Sequence, residues 1–161
     1  MKSLLSSLPI ILPIVHAWAE KQESIILTEG APLTGSQLAD ARRAGVKHPE
    51  KIRVRRVEKL PHPENDDLQF MARQIGLFSG RSSGLSLGYG IWIQYDSWDD
   101  RQTWVHECVH VGQYERKNGL RPFLNEYLRE CLDPGYPFGS LEQEAIMVAK
   151  DICKPPTTRL P

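Results

Sequence analysis

His106-Glu107-Cys108-Val109-His110 is an HExxH pattern. On a helix, residues four apart share a face, one turn above the other. Two imidazoles placed this way converge on one zinc ion, and the intervening Glu reaches a water at that metal. Trp104, Val105, Val109 and Val111 around the motif are apolar, so its helix belongs in a core. The local pattern predicts that helix from a capping box at Ser97-Trp-Asp-Asp100 to about Lys117, with Asn118-Gly119 as the stop.

A third ligand has to come from another segment. The longer pattern HExxHxxGxxH is excluded, because Gln113 stands at its Gly position and Arg116 at its last His. Downstream, Ser140 with Gln143 suggests a second capping box and a helix to about Cys153. On that helix Leu141, Ala145, Ile146, Val148, Ala149, Ile152 and Cys153 mark one apolar face, and Glu142 falls within it. A buried carboxylate needs a strong partner, and a zinc ion would be one. Glu142 is therefore the expected third ligand. Glu144, at the edge of the face, is the substitute. Gln113 and Tyr114, one turn beyond His110, are candidates to orient an imidazole. Tyr136, just before the Glu142 helix, is a candidate donor to an oxyanion. His16, His48 and His62 have no neighbouring ligand pattern.

The 161 residues suit one domain, 1–153, followed by a loose tail, 154–161, that holds three prolines. Twenty acidic residues balance twenty basic ones, which gives no case for nucleic-acid binding. The basic run from Lys51 to Arg56 alternates with Ile52, Val54 and Val57, as a strand with one wet face does. Three cysteines, Cys108, Cys131 and Cys153, make no disulfide framework. Cys108 lies two positions from His106 and points away from the metal face.

The N-terminus carries two readings. Lys2, an apolar stretch from Leu4 to Val15, and Ala17-Trp18-Ala19 outline a secretory signal ending near Ala19. Pro9 and Pro13 interrupt that stretch, and Pro13 suits the first turn of a helix to Thr28. Val15, Trp18, Ala19, Gln22, Ile25 and Ile26 recur on it at helical spacing. The expectation is a retained helix and a cytoplasmic chain, with export as the alternative. The stretch is too short to span a bilayer. Further helices are expected from Ser36 to about Ala44, from Asn65 or Asp66 to about Gln74 with Ile75 on its inner side, and from Pro122 to Leu132. Gly80 to Gly84 is expected as a loop. Leu85 to Tyr95 suggests strand, tight turn and strand, or one strand bent at Gly88-Tyr-Gly90.

On these motifs the chain resembles the gluzincins, zincin-like metallopeptidases that use HExxH plus a downstream Glu. The matching residues are His106 to His110 and Glu142-Gln143-Glu144-Ala145. It is most similar to small bacterial members that continue as His110-Val-Gly-Gln-Tyr114 and carry a Gly135-Tyr-Pro137 loop before the Glu helix. The likeness covers about Leu85 to Ala149. The resemblance implies an α+β, zincin-like fold, with a small mixed or antiparallel sheet packed on the motif helix and an edge strand from Leu85 to Tyr95 beside the site. Many gluzincins have an ExxxD pattern whose Asp supports a motif histidine; here Ile146 stands at that Asp position.

Together these features lead to a zinc-dependent peptidase acting on a peptide or protein substrate. His106, His110 and Glu142 would hold Zn²⁺ and Glu107 would be the general base. The alternative is a catalytically silent domain that zinc stabilises for binding or scaffolding.

Overall fold

The computed structural model describes residues 2–74 and 82–155. Ile75, Gly80 and nearly all of the expected tail lie outside them. The fold is α+β. In chain order it runs α1 (Lys2–Glu29), β1 (Ala31–Pro32), α2 (Gly35–Arg43), β2 (Arg53–Val57), α3 (Asp66–Gln74), β3 (Gly84–Leu87), β4 (Gly90–Gln94), α4 (Arg101–Arg116), α5 (Leu120–Glu130) and α6 (Ser140–Cys153). The four strands form one mixed sheet in the order β1-β2-β4-β3. β2 and β4 are parallel, and the other two pairings are antiparallel. The β3 strand, a tight turn at Gly88-Tyr89 and β4 form a hairpin, the first of the two arrangements expected for Leu85 to Tyr95; the edge strand expected over that whole stretch is β3 alone, because β4 lies between β3 and β2.

Alternation along β2 sorts the basic run. Ile52 and Val54 are buried, while Arg55 and Arg56 are exposed. Arg55 pairs with Glu29 at 2.5 Å, and the Arg56 guanidinium lies over the Tyr95 ring at 5.0 Å. Burial of the apolar partners thus sets the strand's register, because a slip by one residue would put the arginines inside.

The motif helix α4 sits at the centre. Trp104, Val105, Cys108, Val109 and Val111 pack with Ile52, Val54, Ile91 and Ile93 of the sheet region. The same cluster includes Ala41 near α2's end and Ala145, Ala149 and Ile152 of α6. The cap of α4 is Asp100, not Ser97. Its carboxylate accepts from the backbone N–H groups of Gln102 at 3.1 Å and Thr103 at 3.3 Å, while residues Tyr95–Ser97 form a separate short turn. Each carboxylate oxygen thus takes one of the helix's orphan donors.

Helix α1 differs from its expected start at Pro13: it runs through both Pro9 and Pro13. Each proline removes one backbone donor and crowds the preceding turn. Packing along the length offsets that cost. Leu8 joins Leu128, Cys131 and Leu132, and further on Ala19 and Ile26 join Leu87, Trp92, Phe123 and Leu141. Ala19, the end of the outlined signal, is fully buried inside this helix. Among the described residues no helix is long and apolar enough to cross a membrane.

Close approach of α1 to the sheet leaves no room at Gly90, where a Cβ would overlap the Ile26 Cγ2 atom. Gly90→Ala is expected to lower the unfolding free energy by about 1–3 kcal/mol, the range for overpacking. At Gly35 nothing lies near an added Cβ, so Gly35→Ala is expected to be neutral or stabilising by about 0.4–1 kcal/mol. Urea denaturation of both variants checks the pair; equal midpoints would contradict the close contact.

Candidate metal centre

Helical spacing brings the two motif histidines together on α4. Their ring centroids are 4.8 Å apart, and the two Nε2 atoms are 3.1 Å apart. Glu142 arrives from the first turn of α6, which packs along α4. Its Oε1 lies 3.2 Å from His106 Nε2 and its Oε2 lies 3.3 Å from His110 Nε2. His106, His110 and Glu142 are the group of side chains able to hold a metal ion among the described residues, and their ligand atoms all lie within 4.8 Å of one another. The donor set fits a zinc ion. With ligand bonds near 2.0 Å, the edge of a tetrahedron is about 3.3 Å, close to the separations seen.

The carboxylate in this group is Glu142, not Glu144. Glu144 instead accepts from Arg116 at 2.6 Å and from the Gln113 side-chain amide at 2.9 Å. Burial pushes Glu142 towards neutrality, but hydrogen bonds from His106 and His110 outweigh it and hold the carboxyl well below the usual range. The carboxyl is therefore ionised at neutral pH.

Gln113 supports the site directly. It is fully buried, and its Oε1 lies 2.8 Å from His110 Nδ1. The amide cannot turn over without loss, because its Nε2 donates to the Leu141 carbonyl at 2.8 Å and to Glu144. An acceptor fixed at Nδ1 holds a proton there, so Nε2 is the nitrogen that would turn a lone pair to a metal ion once the proton it gives Glu142 is displaced. Tyr114, the neighbouring candidate, is not at the site. Its ring packs edge-on against Tyr89, with centroids 5.2 Å apart.

Glu107 lines the same cavity as the ligand group. It is buried beside β3, where Gly84 makes room: a Cβ there would lie 2.6 Å from Glu107 Oε1. Burial raises the Glu107 pKa against the opposing pull of His106, His110 and a hydrogen bond with Ser86. A carboxylate raised in this way is a better proton acceptor. Tyr136 also lines the cavity, with its hydroxyl 3.3 Å from Ser82 Oγ. Burial pushes its phenol up, so it stays a donor.

Two contributors were not singled out from sequence. Tyr127, on α5, donates its hydroxyl to Glu142 Oε2 at 2.9 Å. Burial and the Glu142 charge keep that phenol protonated. A tyrosine on a buried stripe needs a partner for its polar tip, and that was the available signal. Ser86 is buried between Leu85 and Leu87. The start of α6 also differs from its expected capping box. Ser140 donates its hydroxyl to Glu130, which also accepts from the Leu141 N–H at 2.9 Å, while Gln143 donates to the Pro137 carbonyl at 2.8 Å. Glu130 thus replaces a local cap, and Gln143 ties down the Tyr136 loop. The remaining histidines lie apart from the group: His16 bonds Asn125, His48 faces Glu50, and His62 faces the Pro63 carbonyl.

No family model, curated protein or solved structure matches the chain.

Replacing Gln113 by Leu removes the acceptor on His110 Nδ1 at similar volume. Zinc affinity, read by competition with a chromogenic chelator, is expected to fall about 10–100-fold. Unchanged affinity would show that Gln113 does not set the imidazole's state.

Proposed function

We propose that the chain is a zinc-dependent peptidase of gluzincin type with a zincin-like arrangement of motif helix, Glu helix and edge strand. One observation carries the reading. His106, His110 and Glu142 converge within hydrogen-bond distance of one another, in a cavity that Glu107 also lines. A Zn²⁺ ion held by those three would supply Lewis acidity, acidifying a water and polarising a carbonyl.

The chain's own residues account for the rest. Glu107 takes the proton of the attacking water as its oxygen bonds to the carbonyl carbon. It then passes that proton to the amine nitrogen as the C–N bond breaks. Tyr136 donates towards the carbonyl oxygen as negative charge develops there. The β3 strand stands at the end of the sheet order, with β4 as its strand partner. Its residues line the cavity, so an extended substrate can add alongside through backbone hydrogen bonds.

The rival reading is a zinc-stabilised binding or scaffold domain without turnover. A purely structural zinc site has four protein ligands and no use for a base. Three donors with a buried carboxylate beside them favour hydrolysis.

The deciding experiment is cleavage of an unfolded protein substrate by the purified chain. It is expected to stop on chelation and return on adding zinc. Glu107→Gln is expected to keep zinc and lose activity by on the order of a thousandfold. Gly84→Ala, which crowds Glu107, is expected to lower kcat by about a hundredfold with zinc content unchanged. Stoichiometric zinc with no hydrolysis of any unfolded substrate would favour the scaffold.

A further inference from the structure

The cavity over the candidate metal centre has about 430 Å³ of space. That is the size of a small-ligand site, enough for a short stretch of chain and too little for a folded domain. Part of its wall comes from α1: Leu8, Ile11, Leu12, Val15 and Trp18 line it. Each of these positions has others three or four residues away, so together they make one face of the helix. Only Leu8 among them is buried; Ile11, Leu12, Val15 and Trp18 remain partly exposed. Leu12, Val15 and Trp18 rest on the clusters around Leu128 and Phe123, and the apolar surface they keep uncovered lines the cavity. Leu68 and Met71 of α3 and Leu128 of α5 continue the same apolar surface.

The charges in the lining matter as much. Among the described lining residues there is no Lys or Arg. The described wall therefore offers no cation to hold the carboxylate of a chain's C-terminus. Among the described lining residues three are carboxylates: Glu107 and Glu142 at the centre, and Asp100. Asp100 is committed to capping α4, with both oxygens accepting from the backbone N–H groups of Gln102 and Thr103. Among the described lining residues no acid outside the centre is left uncommitted to hold the ammonium of an N-terminus. Charged side chains would be desolvated there without a partner, which is strongly unfavourable.

We propose that the site takes an internal, uncharged stretch of extended polypeptide and seats a large aliphatic or aromatic side chain against the inner face of α1. This specificity rests on the peptidase reading for its turnover, but the seat itself is a binding property. Leu12 and Val15 are then specificity-determining residues that touch the substrate side chain.

Zinc-loaded Glu107→Gln protein is titrated with short peptides blocked at both ends that differ at one central position. Peptides with central Leu or Phe are expected to bind tighter than those with Lys or Glu by about tenfold or more. Unblocking either end is expected to give no gain. Equal affinities across the series, or a tenfold gain from a free terminus, would overturn the proposal. Leu12→Arg supplies a readout that a misfolded protein cannot imitate: the affinity ratio should move towards the Glu peptide by about tenfold. An unmoved ratio in a folded variant would overturn the placement of the side chain on α1. Wild-type protein is assayed for cleavage of the same peptides. Binding with the stated preference and no cleavage counts for the apolar seat and against the peptidase. Cleavage without preference does the reverse.

Discussion

A carboxylate inside a protein is costly, and the centre of this molecule depends on making Glu142 tolerable. Two imidazoles of α4 and the hydroxyl of Tyr127 surround it. Without them the acid would be neutral or the helix would turn it to solvent. The packing of α6 on α4 and the docking of α5 are thus tied to three polar contacts within a largely apolar interior. A metal ion at this point would add a cation where the fold already concentrates lone pairs.

The motif helix does two jobs with two faces. Val105, Val109 and Cys108 fill the core against the sheet and the small alanines of α2 and α6. His106 and His110 turn towards Glu142, and Glu107 towards β3. Because the core face is packed at interior density, it leaves the other faces little freedom to rotate. Gln113 extends that rigidity one turn further. It links His110 to the Leu141 carbonyl and to Glu144, which in turn binds Arg116. Electrostatic preorganisation of this kind is useful when charge must be stabilised without reorganising the surroundings.

Much of this was legible in the sequence because it is periodic and local. The four-residue spacing of His106 and His110 needs only a helix. The placing of Glu142 on an apolar face followed from counting turns, and that face is the one packed on α4. The alternation of Ile52 and Val54 with arginines located β2. Other features escaped because distant partners make them. Propensity argued that α1 should begin at Pro13, yet side chains of α5 hold the helix together through both prolines. The cap of α6 comes from Glu130, ten residues before Ser140, and no local pattern encodes it. Tyr127 looked like one more apolar residue because its partner lies on another helix. Nor did local pattern indicate that β2 would lie parallel to β4, or that α1 would wall the cavity.

Gly84 and Glu107 share a single volume: the strand gives up a side chain so that the helix may keep a long acid there. The two positions therefore constrain each other as a pair. A shorter acid at 107 would free the space that forbids a methyl group at 84, and a chain with alanine at 84 would need such a shortening to keep its strand in place. Heredity should act on the couple, so that substitutions at these two sites arise together or not at all, despite the 22 residues between them.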